Sequence, residues 1–137
     1  MPTAKFPARF ESLEKISQFV VKAAREAGFD EAAVYAVDLA VDEACSNIIE
    51  HAYGGEGRGD IKCTCQIANN NLKIILRDQG RPFNPSSVAE PNFGAPLEEL
   101  KPRGAGLFLM RKLMDEVDFE FEAGSGNVLT MVKHRSK

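Results

Sequence analysis

Three short segments of this 137-residue chain carry residues that could take part in chemistry. In the first, Glu43 and Asn47 stand four residues apart, which places both side chains on one face of a helix. An asparagine oxygen can bind Mg²⁺, and a glutamate can accept a proton from an attacking hydroxyl or water. The same pair also occurs on ordinary solvated helices, so by itself it leaves a structural and a chemical interpretation open.

The second segment follows an apolar run and consists of Asp78, Gln79 and Gly80. A carboxylate at the end of a strand can accept a hydrogen bond from a ligand amine, and the glycine lets the ligand approach the backbone. Aspartate and glycine are also common turn residues, so an ordinary turn is the alternative.

The third segment, residues 103–107, lies where a long irregular stretch becomes helical. Exposed N–H groups and the positive end of the helix dipole make a helix N-terminus an anion site, and glycines let phosphate oxygens come close. The segment fits neither the GxGxxG dinucleotide pattern nor the P-loop. Flexibility at a helix start is the alternative explanation. Its residues are Arg103, Gly104, Ala105, Gly106 and Leu107.

Hydrophobic periodicity predicts the elements that must position these residues. Three helices and about five strands indicate an α+β fold, a two-layer sandwich in which a mixed or mostly antiparallel sheet has its helices on one face. The predicted order is an edge strand (4–10), a helix (13–27), a second helix (30–52), two strands (61–67 and 72–77), a long irregular segment (79–103), a third helix from 104, and two strands (117–122 and 128–133).

Local signals support several of these boundaries. Gly28 suits a helix C-terminus, and Asp30 can cap the second helix while Phe29 and Val34 meet around the cap. Asn69, Asn70 and Asn71 predict a hairpin turn, because asparagine tolerates positive φ. Five of the seven prolines fall between Gln79 and Arg103, and a loop of that length usually acts as a lid or is disordered.

Composition limits the class of protein. The 17 basic and 20 acidic residues give a net charge of −3, which argues against direct nucleic-acid binding, and 44% hydrophobic residues suffice for one compact domain over residues 1–137. No apolar run approaches the length that spans a bilayer, so we expect a cytoplasmic protein without a membrane partner. Cys63 and Cys65 alternate on one strand face and are predicted core residues rather than metal ligands.

Taken together and in this order, the three segments resemble the sequence boxes of the GHKL (Bergerat-fold) ATP-binding superfamily. Glu43 and Asn47 look like its N box, Asp78 and Gly80 like its G1 box, and residues 104–107 like its G2 box. The stretch between the last two boxes, residues 80–103, then corresponds to the ATP lid. The resemblance runs from about Ala4 to Lys133.

Within that superfamily the chain is most similar to the small stand-alone anti-sigma-factor serine kinases. The motif at residues 78–85, DQGRPFNP, looks like theirs, with Pro82 where many sensor histidine kinases have a second glycine. A sensor histidine kinase also needs a dimerisation helix pair with the phosphorylated histidine, for which this length leaves no room.

The resemblance implies a role for each matching position. It implies Glu43 as general base, Asn47 as the ligand of Mg²⁺, and Asp78 and Gly80 as the adenine site. Gly104, Ala105, Gly106 and Leu107 would line the phosphate path, and Thr130 would support the adenine. Arg103, directly before this path, is our own candidate for a contact with the γ-phosphate. His51 either flanks the nucleotide or faces solvent.

The function implied by the resemblance is an ATP- and Mg²⁺-dependent serine-protein kinase that is also an anti-sigma factor. Its partners would be a small anti-anti-sigma protein of the STAS type and a sigma factor, and it would form a homodimer through the N-terminal strand and first helix. The alternative is a nucleotide-gated interaction switch that binds ATP or ADP without significant kinase activity. An ATP-hydrolysing fragment of a larger machine is a third reading, which fits the chain poorly.

Overall fold

The computed structural model describes residues 2–82 and 102–135, with side chains from residue 108 onward in the second range. Within these ranges, three α-helices and five strands form the fold. The helices are α1 (Leu13–Glu26), α2 (Glu31–Asn47) and α3 (Pro102–Leu113), with a 3₁₀ turn at Phe10–Ser12 and a π-helical turn at Ile48–Ala52. The strands are β1 (Thr3–Pro7), β2 (Asp60–Ala68), β3 (Asn71–Asp78), β4 (Glu116–Glu122) and β5 (Gly126–His134).

The strands form one sheet in the order β1-β2-β3-β5-β4, and every pairing within it is antiparallel. Among the described strands, β1 pairs with β2 alone and is therefore an edge strand, as the sequence predicts. The register aligns Asp78 at the end of β3 with Asn127 at the start of β5. This register brings together two residues that are far apart in sequence.

The helices cover one face of the sheet, which confirms the predicted two-layer α+β fold. Alternate side chains of the three central strands point to the helices and are buried, whereas the other face exposes charged side chains such as Lys62, Lys73 and Arg77. The strand residues of the core are Ile61, Cys63, Cys65, Leu72, Ile74, Leu76, Leu129 and Met131. The two cysteines are core residues, as their alternation predicts.

The junction between α1 and α2 is as the sequence predicts. Gly28 has φ of +88° after α1, a conformation that glycine adopts without steric cost. The Asp30 side chain accepts a hydrogen bond of 2.8 Å from the backbone N–H of Ala33 and so caps α2. Phe29 and Val34 are both buried beside this cap.

The second helix does not continue as a regular α-helix to residue 52. It widens after Asn47 into the π-helical turn Ile48–Ala52, in which Tyr53 N–H donates to the carbonyl of Ile48 over 3.0 Å. Gly54, the residue after Tyr53, has a φ of +73°. Single π-helical turns are often found at functional sites, and this one follows the residue pair Glu43 and Asn47.

The hairpin between β2 and β3 turns at Asn69 and Asn70, whose φ angles are +52° and +66°. Positive φ at both central residues is the geometry of a type I′ turn, so the predicted turn is confirmed, with Asn71 already in the strand.

The third helix starts at Pro102, two residues before the predicted start at Gly104. Proline is favoured in the first helical turn because its missing N–H is not needed there. Residues 83–101, the greater part of the predicted lid at 80–103, lie outside the described residues. Among the residues described, none of the helices is long and apolar enough to cross a membrane.

Candidate active site

A pocket lies between α2, α3 and the end of the sheet where β3 finishes. Most of its wall is apolar, and the side chains of Asn47, Asp78 and Asn127 provide polar groups. The full set of described lining residues is Ala44, Asn47, Ile48, Ala52, Asp78, Met110, Phe119, Glu120, Asn127, Val128 and Leu129. An apolar pocket with a few convergent polar groups is typical of a small-molecule site.

Asp78 is the buried acid of this pocket, with 4% of its surface exposed. Its Oδ1 accepts hydrogen bonds from the backbone N–H of Gly80 over 2.8 Å and from Asn127 Nδ2 over 2.9 Å. Within the described part of the chain, Oδ2 accepts none. Burial raises the pKa of Asp78, and the two hydrogen bonds offset part of that rise. The side chain therefore offers one open acceptor oxygen to a ligand.

Asn127 is a site residue that the sequence reasoning missed. Its amide nitrogen donates both to Asp78 Oδ1 and, over 2.7 Å, to the carbonyl of Arg81. Asn127 is itself buried, with 8% of its surface exposed. Its side chain therefore links the Asp78 carboxylate to the backbone of Arg81 inside the protein. The turn at residues 124–127 was visible in the sequence, but only the β3–β5 register shows that Asn127 faces Asp78.

Two glycines allow the backbone to pass closely at Asp78. A Cβ on Gly80 would lie 2.5 Å from the carbonyl carbon and oxygen of Ala52. A Cβ on Gly126, where φ is +83°, would clash with the carbonyl oxygen of Asp78. Gly80 is therefore needed to pack the end of β3 against the π-helical turn, in addition to any role toward a ligand.

Glu43 and Asn47 lie one turn apart near the C-terminal end of α2, and both are half-buried. Asn47 lines the pocket, and Glu43 precedes it by one turn on the same helix face. Burial raises the pKa of Glu43, and the charges of Asp42 and Glu50 raise it further. A glutamate with a raised pKa is better matched to proton transfer near neutral pH.

Thr130 is not brought to the cluster, which corrects its predicted role beside the adenine. Directly opposite residues of an antiparallel pair point to the same face, and Thr130 is opposite Ile75 whereas Asp78 is opposite Asn127. Because residue 130 is three positions from 127 on the same strand, its side chain points to the other face of the sheet. Asn127 occupies the place next to Asp78.

The remaining predicted residues belong to the π-helical turn and to the start of α3. His51 is half-buried in the π-helical turn outside the lining set, and its carbonyl accepts a hydrogen bond of 3.0 Å from Arg81 Nη2. The helix N-terminus predicted as an anion site is the start of α3, whose residue Met110 lines the pocket two turns later. Its first turns contain Arg103, Gly104, Ala105, Gly106 and Leu107.

This arrangement suits a flat aromatic ligand that carries a hydrogen-bond donor. Apolar walls favour a heterocyclic ring, and the open oxygen of Asp78 is an acceptor for an amine on that ring. Asn47 on the pocket wall and Glu43 one turn before it on α2 provide polar groups for the polar part of a larger ligand.

The chain matches the family model of the histidine kinase-like ATPase domain over residues 6–133. It is 35% identical over 131 residues to a serine-protein kinase RsbW of Halalkalibacterium halodurans, a match that covers 93% of this chain and 78% of that protein. It is 30% identical over 137 residues to the serine-protein kinase RsbW of Bacillus cereus, with 97% and 85% covered.

Solved structures share the fold. A structure of the RsbU and RsbW domains of a Mycobacterium tuberculosis protein aligns with a TM-score of 0.66 at 17% identity over 98% of this chain, which spans 32% of that longer chain. The catalytic domain of the histidine kinase ThkA aligns with a TM-score of 0.56 at 16% identity, over 98% of both chains.

The family match covers nearly all described elements, and the relatives at 30% identity or more are serine-protein kinases. The predicted superfamily, the predicted fold and the predicted class of enzyme are thereby confirmed. The chain belongs to the histidine kinase-like ATPase domain family, among its serine-protein kinases.

Proposed function

We propose that this chain transfers the γ-phosphate of ATP to a serine of a partner protein, with Mg²⁺ as the cofactor, in a domain formed by residues 1–137. The observation that carries the proposal is the buried Asp78, which has one oxygen held by two donors and the other without a donor among the described residues, in an apolar pocket. Similarity to serine-protein kinases over more than nine tenths of the chain supports it.

The residues present fit an adenine nucleotide. Asp78 accepts a hydrogen bond from the exocyclic amine of adenine, and the apolar wall from Ile48, Met110 and Leu129 packs on the ring. A base without a donor at this position would leave Oδ2 of the buried carboxylate without a hydrogen bond, which is costly. The pocket therefore selects adenine over bases with an acceptor there.

Asn47 is the proposed protein ligand of Mg²⁺. In the described part of the chain, no group of three or more His, Cys, Asp or Glu side chains could hold a metal ion. Mg²⁺ usually keeps several waters and binds through one or two protein groups together with substrate phosphates. A single amide oxygen on the pocket wall is consistent with that mode of binding.

Glu43 is the proposed general base, which orients or deprotonates the attacking serine hydroxyl. ATP supplies the phosphoryl group, and the protein contributes mainly positioning and charge stabilisation. The backbone N–H groups at the start of α3 hold the phosphates, Arg103 contacts the γ-phosphate, and His51 flanks the site. Residues 80–103 are proposed as the ATP lid.

The proposed partners are a small anti-anti-sigma protein of the STAS type as substrate and a sigma factor that the chain sequesters. We also propose that the chain acts in the cytoplasm as a homodimer. These assignments rest on the resemblance to anti-sigma-factor serine kinases and on the serine-protein kinase relatives. Sedimentation of the purified protein at twice the monomer mass of 15.0 kDa would support the dimer, and monomer mass would contradict it.

The test incubates the protein with Mg²⁺ and γ-labelled ATP in cytosol from its source and identifies the labelled protein and residue. Glu43→Gln should lower the rate of label transfer by about 10² to 10⁴ with ATP affinity unchanged, whereas Asn47→Ala should weaken Mg-ATP binding itself. Glu14→Gln, an exposed change on α1, is the matched control and should match wild type.

Acid-stable phosphoserine on a small protein, absent with Glu43→Gln, would support the kinase and identify its substrate. Transfer by Glu43→Gln at the wild-type rate would refute the role of Glu43. No label, together with nucleotide-dependent co-purification of a partner, would refute kinase activity and favour the interaction switch.

A further inference from the structure

Tyr53 connects three segments of the chain through its hydroxyl group. The hydroxyl donates a hydrogen bond of 2.7 Å to the carbonyl of Asp60, where β2 begins. It also accepts one of 2.8 Å from the backbone N–H of Gln79, the residue directly after Asp78. Tyr53 itself follows the π-helical turn and does not belong to the lining of the pocket.

The ring of Tyr53 is held in place by its contact with Gly59. A Cβ added to Gly59 would lie 2.4 Å from two ring carbons and 2.7 Å from the hydroxyl oxygen. The ring thus rests directly on the glycine backbone, and little room remains for the hydroxyl to move. Burial raises the pKa of Tyr53, which keeps the hydroxyl protonated as a donor at neutral pH.

The segment that Tyr53 holds is the one that presents the base-binding carboxylate. Gln79 is fixed at its backbone by Tyr53 and at its side chain by a hydrogen bond of 2.8 Å from Nε2 to the carbonyl of Ser125. The next N–H, that of Gly80, donates to Asp78 Oδ1. The orientation of the Asp78 carboxylate therefore depends on the path of the two peptide groups that follow it.

We infer that Tyr53 is a positioning residue for base recognition: by holding the Gln79 peptide, it aims the open oxygen of Asp78 at the amine of adenine. The inference rests on the proposed function, because it assumes that Asp78 binds adenine. Without the hydroxyl, the Gln79 N–H loses its acceptor. The backbone at Gln79 can then shift until this N–H donates to water instead. Asp78 then keeps its charge but loses its fixed direction.

The test compares two nucleotides by isothermal titration calorimetry of the full chain with Mg²⁺. One is ATP and the other is purine riboside triphosphate, which has hydrogen in place of the exocyclic amine. Wild type should prefer ATP, and Asp78→Asn should remove most of that preference. Tyr53→Phe should weaken ATP binding about fivefold and leave the analogue unchanged, since the loss of one hydrogen bond has about that effect.

A second variant reaches the same contact without removing the hydroxyl. Gly59→Ala displaces the Tyr53 ring, so it should lower the preference for ATP in the same way. Tyr35→Phe is the matched control, because Tyr35 is 68% exposed and lies on the far part of α2. Thermal denaturation of each variant identifies the temperature at which all remain folded for the titrations.

The outcomes separate the two proposals. If Tyr53→Phe weakens both nucleotides equally, or neither, while Asp78→Asn abolishes the preference, the role of Tyr53 in base recognition is refuted and the adenine site stands. If wild type shows no preference, or Asp78→Asn retains it, the adenine site is refuted and the inference about Tyr53 is refuted with it.

Discussion

The acidic residues of the candidate site lie where burial favours the neutral form. Burial raises the pKa of Asp78, and two hydrogen bonds to one oxygen limit that rise. Burial also raises the pKa of Glu43, with Asp42 and Glu50 as neighbouring charges. The two environments suit different tasks. Hydrogen-bond donors hold Asp78 as an acceptor, whereas burial and the charges of Asp42 and Glu50 favour uptake of a proton by Glu43.

Removal of the charge at Asp42 should lower the pKa of Glu43. Asp42→Asn should therefore shift the acidic limb of the rate against pH to lower pH, because the limb reports deprotonation of the general base. The measurement is label transfer to the identified substrate at saturating ATP between about pH 5 and pH 8. An acidic limb that stays in place or shifts to higher pH would contradict Glu43 as the base. Glu14→Gln serves as the control.

The buried charge of Asp78 should cost stability at neutral pH. Its pKa is raised above the ordinary value of 3.8, so the ionised form is less favourable in the folded than in the unfolded state. This cost is absent below the ordinary pKa and develops as the pH rises through the raised one. Asp78→Asn should therefore melt at a higher temperature than wild type at pH 7, and the difference should vanish near pH 3.

Thermal denaturation at both pH values is the measurement for Asp78→Asn. Asp115→Asn is the control, because Asp115 is exposed and its charge is not buried. A lower melting temperature of Asp78→Asn at pH 7 would show that the hydrogen bonds of the carboxylate outweigh its burial.

At the scale of elements, the site depends on close packing between the end of β3 and the π-helical turn. The backbone N–H of Arg81 donates to the carbonyl of Ala52 over 2.8 Å, and Arg81 Nη2 donates to the carbonyl of His51. Gly80 lies between these contacts with no room for a side chain. The helix that carries Glu43 and Asn47 is thus joined directly to the strand that carries Asp78.

Gly80→Ala should disturb this junction and lower both stability and ATP affinity. Its Cβ would meet backbone atoms of Ala52, and such overpacking costs about 1–3 kcal/mol. Gly124→Ala is the control, because its Cβ would meet nothing within 4 Å and only its φ of +85° is unfavourable, at roughly 1–2 kcal/mol. Urea denaturation and ATP titration of both variants are the measurements, and unchanged ATP affinity in Gly80→Ala would contradict the junction's role in the site.

At the scale of the whole molecule, one apolar layer between sheet and helices holds the site elements in place. The central strands contribute fully buried side chains, and α1, α2 and α3 cover them from one side. The pocket is at the edge of this layer, and residues of α2, α3 and the end of β3 line it. Its shape therefore depends on packing throughout the core.

Ile74→Ala should destabilise the domain by about 2–5 kcal/mol, because Ile74 has 0% exposure at the centre of the sheet and its truncation leaves a cavity. Ile67→Ala is the matched control at the end of β2, where the side chain is 48% exposed, and it should change stability by less than about 0.5 kcal/mol. Urea denaturation of both variants tests the difference. Equal losses would show that burial does not determine their contributions.

Local sequence signals determined much of this protein. The cap at Asp30, the asparagine turn at 69–70 and the buried alternation of Cys63 and Cys65 follow from residue type and period alone. The pair Glu43 and Asn47 and the order of the three boxes were sufficient to identify the family. The cap, the turn, the alternation and the residue pair each depend on neighbours within about one turn or one strand, and the order of the boxes is read along the chain, so a sequence displays all of them directly.

The tertiary structure alone decided which distant residues meet. Asn127 and not Thr130 accompanies Asp78, because strand register determines the face on which each side chain lies, and a shift of one residue reverses it. Tyr53 reaches Gln79 only because the π-helical turn, the start of β2 and the end of β3 converge. Such contacts join residues far apart in the chain, and they form only when the sheet and helices pack into one core.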